Sequence, residues 1–260
     1  MPRRVTMREQ ALKSSGLAED ARPFRPQNRP PMAILIALDD GSTEAGETWR
    51  IRTNRCVIGR KKGDVLVPHD PGISGEHAVI TCALRDGAYV WHLSDAKSTN
   101  GTFLRARKGP LAHGFQLMLG GRLYVFRTQG DETADNEPND NVELKATRMV
   151  LGAKPKTQCS ASLVEWTSGG EGQAFPIKGT AAWIGSDAKQ CQIVLANDPL
   201  ASARHGCIRV DSRGRWVIQD ADSVNGVWIR IDRVKLTKTS EFQIGEQRFL
   251  FKLLSERDAD

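Results

Sequence analysis

A small set of polar residues in the first half of the chain has the right chemistry to bind a phosphate group. Arg60 offers a planar fork of N–H donors that stays charged at any physiological pH. Ser74 and Thr99 can add hydroxyl donors, and the Asn100 amide can both donate and accept a hydrogen bond. A phosphate monoester presents about two negative charges and three strong acceptor oxygens, so these residue types suit a phosphate-binding site.

The same groups of residues occur twice, in the same order and at nearly the same spacing. The matches pair 57–60 with 183–186, 74–77 with 202–205, and 98–102 with 223–227. Three ordered matches at almost one offset indicate an internal repeat. The second half of the chain is therefore expected to have the fold of the first half.

Both halves consist of short apolar, β-branched and aromatic runs separated by Gly, Asp and Asn turns, a pattern typical of an all-β sandwich or barrel. Composition divides the chain into four parts. We expect a flexible basic Pro/Arg-rich arm at 1–31, a first domain at 32–129, an acidic linker at 130–157 and a second domain at 158–260. One weak helical pattern covers residues 6–17 of the arm.

Taken together, the motifs resemble those of the forkhead-associated (FHA) domain family. They are Gly-Arg, Ser-x-x-His and Ser-Thr-Asn-Gly, and the resemblance covers nearly all of both domains. It implies two tandem β-sandwiches of about eleven strands, with loops at one end that bind phosphothreonine peptides. It assigns peptide binding to five residues and a structural role to three. The binding set is Arg60, Ser74, Gly75, Thr99 and Asn100, and the structural set is Gly59, His77 and Gly101.

Two departures from the family pattern affect the expected affinity. Gly75 stands where many relatives have Arg, Lys or Asn, so affinity is expected to be modest unless Lys61 or Lys62 contributes. In the second domain Ser186 replaces the arginine and Val224 replaces the threonine. We expect this second phosphate site to be degenerate, although Lys189 or Arg204 could substitute in part. Its equivalent positions are Gly185, Ser186, Ser202, His205, Asn225 and Gly226.

Composition excludes several other classes of protein. The longest apolar run, Met32 to Leu38, is far shorter than the roughly 18 residues of a membrane span. We expect no membrane insertion and a cytoplasmic location. The cysteines are odd in number and widely spaced, which favours buried reduced thiols over a metal site or disulfides. Ser74, His77 and Asp70 are the residue types of a catalytic triad, but no nucleophile elbow surrounds Ser74. We expect no enzyme activity and no cofactor.

These observations favour a non-enzymatic adaptor in Ser/Thr kinase signalling, which composition and size suggest is bacterial. Its partner would be a Thr-phosphorylated protein or its own tail, phosphorylated at Thr6 or Thr133. The alternative is a nucleic-acid-associated regulator that uses the basic arm, with the FHA domains recruiting partners. That alternative is weaker because the arm has no helix-turn-helix or zinc pattern and only Phe24 as an aromatic residue.

Overall fold

The computed structural model describes residues 33–38, 45–128 and 161–254, and every regular element in these ranges is a β-strand. The strands of the first repeat are β1 (Ala33–Leu38), β2 (Ala45–Ile51), β3 (Arg55–Gly59), β4 (Val65–Leu66), β5 (Ala78–Arg85), β6 (Ala88–Asp95), β7 (Thr102–Arg105), β8 (Lys108–Pro110), β9 (Gln116–Leu119) and β10 (Arg122–Thr128). Those of the second repeat are β11 (Ala161–Thr167), β12 (Gly170–Ile177), β13 (Ala181–Gly185), β14 (Ile193–Val194), β15 (Gly206–Val210), β16 (Trp216–Asp220), β17 (Val227–Ile231), β18 (Arg233–Lys235), β19 (Thr239–Ile244) and β20 (Gln247–Leu253). The prediction of an all-β fold with two tandem sandwiches is confirmed. The described part of each repeat holds ten strands, where the resemblance implied about eleven.

Three sheets form the two sandwiches. A shared sheet has the strand order β12-β11-β10-β9-β17-β7-β19-β20-β1-β2 and runs through both of them. The five-stranded sheet β18-β6-β5-β3-β4 packs against the β7-β19-β20-β1-β2 half of the shared sheet. The five-stranded sheet β14-β13-β15-β16-β8 packs against the β12-β11-β10-β9-β17 half. Alternating burial along strands such as β1 and β9 places one face of each in a core.

Each core draws strands from both repeats. The first, here called core A, combines residues of β1, β3, β5 and β6 with Phe242, Phe249 and Phe251 of the C-terminal strands. The second, core B, combines residues of β11 and β13 to β17 with Leu117 and Phe126 of the first repeat. We call the two units sandwich A (β1–β7 with β18–β20) and sandwich B (β8–β17).

The repeats therefore exchange their last three strands, which differs from the expectation that 32–129 and 158–260 would each close a sandwich of their own. The crossings occur right after β7, through residues 106–107, and right after β17, through Asp232. Neither short connection contains the Gly or Asn that a tight reversal favours. The chain instead continues from one sandwich into the other, and β7 and β17 pair antiparallel at the crossing.

The exchange also changes the place of the predicted linker, 130–157, which lies outside the described residues. Thr128 at the end of β10 is the direct cross-strand partner of Ala161 at the start of β11. The intervening chain thus connects two neighbouring strands of sandwich B, and no tether length is needed to reach the second sandwich. The arm, with its predicted helix at 6–17, also lies outside the described residues.

Four of the five cysteines, Cys56, Cys82, Cys191 and Cys207, are buried free thiols, as predicted, while Cys159 lies outside the described residues. Burial raises the pKa of the Cys56 thiol to about 11. In the described ranges, three or more metal-ligating side chains never cluster in a way that could hold an ion. The same ranges contain no helix long and apolar enough to cross a membrane.

Candidate functional site

Three loops of sandwich A converge at one end of the molecule and carry the predicted binding residues. Arg60 begins the loop after β3, Ser74 lies on the loop before β5, and Thr99 and Asn100 lie between β6 and β7. Thr99 and Asn100 are exposed, whereas Arg60 and Ser74 are partly exposed. The structure thus brings these four residues, which are distant in sequence, to one solvent-accessible rim.

The loops are joined by direct hydrogen bonds. The Arg60 amide donates to the Ser74 carbonyl at 2.9 Å, and the Thr99 amide donates to Ser74 Oγ at 3.1 Å. Asn100 Nδ2 donates to the Gly72 carbonyl at 2.8 Å, which leaves its Oδ1 atom to accept from a ligand. Ser74 Oγ and Thr99 Oγ1 lie 3.5 Å apart. Two hydroxyls therefore face the same point on the rim.

The Arg60 side chain has donors to spare. Its Nε atom is buried and lacks a hydrogen-bond partner among the residues that the structure describes. A buried polar atom without a partner is costly and uncommon in folded proteins. An anion at the rim would bind the terminal nitrogens of the same guanidinium with charge-assisted bonds, and Nε could join them only if the side chain moves.

Two glycines on the rim have opposite environments. A Cβ at Gly59 would collide with the backbone oxygens of Gly75 and Lys62, so glycine is needed there for the loops to approach. A Cβ at Gly75 would meet nothing within 4 Å. Gly75 thus leaves the rim open, and the neighbouring cations Lys61 and Lys62 are both exposed.

His77 lies beneath the rim with its side chain fully buried. Its Nδ1 atom accepts from the Ser74 amide at 3.0 Å, and its Nε2 atom donates to the Gly101 carbonyl at 3.0 Å. This pattern requires a neutral ring with the proton on Nε2. The imidazole therefore connects the Ser74 loop to the 99–101 turn.

Removing this connection is expected to destabilise the protein. The His77→Ala variant would leave the Ser74 amide and the Gly101 carbonyl without their partner, at a cost of about 1–3 kcal/mol for each buried group. We expect thermal unfolding to begin several degrees lower than in the wild type. Ser74→Ala, which keeps both backbone partners of the imidazole, is the matched control and should change the melting temperature little.

The same ring makes stability depend on pH. Burial, the largest cause, lowers the pKa of His77 below its ordinary value of 6.5. Because the folded-state pKa is the lower one, the neutral ring's contribution is complete above pH 6.5 and is lost as pH falls from there through the folded pKa. Between pH 7.5 and 5, the melting temperature should therefore fall more steeply with decreasing pH for the wild type than for His77→Ala. An equal pH dependence of the two melting temperatures would contradict this assignment.

The residue types of a catalytic triad are present but are not arranged as one. The imidazole Nδ1 atom bonds the Ser74 backbone amide, and Ser74 Oγ bonds Thr99. Asp70 accepts from the amides of Gly72 and Glu246. A nucleophile, base and orienting acid need consecutive side-chain hydrogen bonds, which these residues do not make.

The second set of motifs forms the same framework in sandwich B. The Ser202 amide donates to His205 Nδ1 at 3.2 Å, and His205 Nε2 donates to the Gly226 carbonyl at 2.9 Å. Asn225 Nδ2 donates to the Leu200 carbonyl at 2.8 Å. Gly185, like its counterpart in sandwich A, closely approaches a neighbouring backbone, here that of Ala203. The loop framework of the second site is thus intact.

The side chains that would bind phosphate are different at this second site. Ser186 stands at the arginine position and donates its hydroxyl to the Ala201 carbonyl at 3.2 Å. Val224, 83% exposed, stands at the threonine position. The guanidinium carbon of Arg204 lies 3.7 Å from the centre of the Trp183 ring, in a cation–π contact. Of the two cations that could substitute, Arg204 is therefore engaged elsewhere and Lys189 is simply exposed.

Sequence reasoning missed a pair of aspartates that join each rim to the exchanged strands. Asp70 accepts from the Glu246 amide at 2.8 Å, in the turn between β19 and β20. Asp198 accepts from the Gly121 amide at 3.0 Å, in the turn between β9 and β10. Both aspartates are buried, and each lies just before the serine of its own motif. The Asp-Pro pair shared by 70–71 and 198–199 was the available signal.

Comparison with known proteins agrees with the motifs. The model described as "FHA domain" matches residues 56–120 and 182–245. Comparison with curated proteins gives no match. Similar solved structures include a chain from a structural and functional analysis of phosphothreonine-dependent FHA domain interactions, with 13% identity over 86% of this chain and 98% of that chain, at a TM-score of 0.32.

Two further solved structures are similar over shorter stretches. One is Mycobacterium tuberculosis EmbR in complex with a low affinity phosphopeptide, with 30% identity over 32% of this chain and 22% of that chain, at a TM-score of 0.21. The other is the yeast Dun1 FHA domain with a doubly phosphorylated peptide derived from Rad53, with 22% identity over 50% of this chain and 97% of that chain, at a TM-score of 0.23. The two matches of the family model carry the assignment.

Proposed function

Because the chain belongs to the FHA domain family, we propose that it is a non-enzymatic adaptor that binds phosphothreonine peptides through the rim of sandwich A. One observation carries this proposal. Arg60, Ser74, Thr99 and Asn100 meet on one accessible rim, and the half-buried arginine still has an unpartnered donor among the described residues. The site would read the phosphorylation made by a Ser/Thr kinase.

Each residue has a distinct part in the proposed complex. Arg60 would form charge-assisted bonds to the phosphate oxygens, and the hydroxyls of Ser74 and Thr99 would donate to the same group. Asn100 Oδ1 would accept from the main chain of the peptide, because its Nδ2 atom is used by the Gly72 carbonyl. The phosphate contacts would then determine which residue of the peptide lies at the rim. The Asn100 side-chain amide would determine the direction in which the peptide main chain runs.

We propose that the second site does not read phosphate and supports association in another way. Ser186 has no fork of donors, and its hydroxyl already bonds the Ala201 carbonyl. Val224 and Leu200 present exposed apolar side chains on the same loops. An apolar rim of this kind is better suited to an unphosphorylated contact than to a dianion.

The chain's own linker is a candidate ligand, since β10, the last described strand before it, ends near the proposed site. Phe103 of β7 and Val125 of β10 lie in one row of the shared sheet, joined through Arg230 and Gln116. The first residue of β7 and the last residue of β10 lie at the same end of the shared sheet. The two strands are three strand spacings apart, or about 15 Å. Thr133 lies outside the described residues, but five extended residues after Thr128 reach roughly 17 Å.

Other parts of this proposal depend on the partner. A Thr-phosphorylated protein in trans would use the same rim, and a cytoplasmic location is consistent with the four buried free thiols.

The nucleic-acid alternative depends on the basic arm at 1–31, which lies outside the described residues. It stays a prediction, and a salt titration against random duplex DNA would test it, because phosphate-backbone binding weakens steeply with salt.

Calorimetry on the full chain would test the proposed function. The probes are a degenerate phosphothreonine peptide library and a peptide of residues 128–138 in three forms, with phosphothreonine, threonine or phosphoserine at 133. We expect binding of the phosphothreonine form and none of the unphosphorylated form. Phosphoserine should bind more weakly, because burying the threonine methyl is worth about 0.8 kcal/mol, or roughly fourfold in affinity. Failure of both the library and the peptide to bind in a phosphate-dependent way would refute the proposal.

A further inference from the structure

We propose that Arg230, which belongs to the second repeat, is a positioning residue for the phosphopeptide site of the first. It would hold the 99–101 turn in its binding conformation and place a fixed positive charge beside the site. This inference rests on the proposed function of the Arg60 rim. It assigns to that site a residue that lies beyond both the motifs and the first repeat.

Contacts with both sandwiches fix the position of Arg230. The residue lies on β17, and one guanidinium nitrogen donates to Gln116 Oε1 of β9 at 2.8 Å. Gln116 is part of the exchanged segment of the first repeat. The guanidinium end of the side chain is therefore anchored in sandwich B.

The guanidinium itself lies against the backbone of the proposed binding turn. A Cβ at Gly101 would overlap the Nε and Cζ atoms of Arg230, and Gly101 has a φ of +84° that disfavours other residues. On its other side, the Gly101 carbonyl accepts from His77 Nε2. His77 and Arg230 thus hold the same glycine from two directions, one from each repeat.

Electrostatics add to this contact. The charge of Arg230 is one of the influences that lower the pKa of His77, although burial is the largest. The arginine is therefore close enough to act on charges at the loop. Its hydrogen-bond partner, the Gln116 amide, is neutral, so no carboxylate offsets the positive charge through that bond. A phosphate dianion at the rim would experience an attraction that decreases with salt.

The pseudo-symmetry of the molecule provides a matched control. Arg105 occupies the corresponding position on β7 and packs against Gly226 of the second site. It donates to the Val224 carbonyl at 3.3 Å and pairs with Glu241 at 2.7 Å. Arg105 therefore does for the degenerate site what Arg230 does for the first, and its charge is paired with a carboxylate.

The test compares three full-length variants, Arg230→Met, Arg230→Lys and Arg105→Met. Calorimetry uses the tightest-binding phosphothreonine peptide found with the wild type. We expect Arg230→Met to weaken binding by about 3- to 10-fold, as for the loss of one partly screened charge and a contact. Arg230→Lys should recover part of the loss, and Arg105→Met should stay within about twofold of the wild type.

A second readout needs no peptide. Amide hydrogen exchange in the 99–101 turn should be faster in Arg230→Met than in the wild type, and unchanged in Arg105→Met. Equal binding by all variants, or equal losses for both methionine variants, would overturn the inference while leaving the phosphopeptide function in place. Should the wild type bind no phosphopeptide, the proposed function fails, and unchanged exchange in Arg230→Met would separately overturn the positioning role.

Discussion

Replacing Arg60 by alanine is expected to weaken the binding of a phosphothreonine partner strongly without unfolding the protein. Bonds to a charged group contribute about 1.5–3 kcal/mol each, so affinity should fall roughly 10- to 150-fold. Stability should change little, since the buried Nε atom makes no hydrogen bond to the described residues. Calorimetry with the peptide library and a thermal melt of the same sample would measure both effects.

The internal repeat offers a control for this variant within the same chain. Ser186→Ala removes the side chain at the equivalent position of the second site, and we expect it to leave phosphopeptide affinity unchanged. Phosphate-dependent binding that persists in Arg60→Ala belongs to the second site only if it is lost when Lys189 and Arg204 are also replaced by alanine. That loss would show that Lys189 or Arg204 replaces the arginine, and the second site would then not be degenerate. Unchanged affinity in Arg60→Ala would remove the proposed site altogether.

The sequence was sufficient to predict the all-β fold because strands depend on local patterns. The β-branched and aromatic run 89–93 predicts a strand, and β6 covers 88–95. β8 (Lys108–Pro110) gives no such signal, because it contains Gly and Pro and no β-branched residue. The rim residues were predicted from the ordered motifs and the family that they resemble, and their role in binding stays a prediction.

The exchange of strands could not be predicted from the same patterns. β10 and β20 are both apolar, aromatic strands, and either could pair with β1. Their register is also equivalent, because Lys252 pairs with Ile34 just as Arg127 pairs with Ser162. Because the two repeats match, the side-chain pattern favours the observed pairing and its alternative about equally. The roles of Asp70 and Arg230 follow from the exchange and were missed with it.

Because of the exchange, the stability of sandwich A depends on strands from the end of the chain. Core A, beneath the Arg60 rim, includes Phe242, Phe249 and Phe251, which are fully buried and come from the end of the chain. Burying one such side chain contributes about 1.5–3 kcal/mol, so three together are comparable to the whole stability of a typical domain. The proposed binding site should therefore depend on strands more than a hundred residues away from its motifs.

Disulfide trapping is expected to show this exchange as an all-or-none result. Ile34 of β1 lies directly opposite Lys252 of β20, so the double variant Ile34→Cys, Lys252→Cys should form an intramolecular bond on oxidation. If each repeat closed its own sandwich, the partner of Ile34 would instead be Arg127, the counterpart of Lys252. The double variant Ile34→Cys, Arg127→Cys is thus the matched control and should stay reduced.

Both variants would carry Cys159→Ser, since the other four native thiols are buried. Non-reducing electrophoresis and peptide mass spectrometry would then identify each bond. A reciprocal bond in Arg127→Cys, Ser162→Cys is expected as well, because those residues face each other across β10 and β11. Trapping of 34 with 127 would show that the repeats fold as separate sandwiches, and a covalent dimer would show exchange between two chains. Either result would also remove the structural basis for Arg230 acting on the first site within one molecule, because its contact with Gly101 requires β17 to lie beside β7.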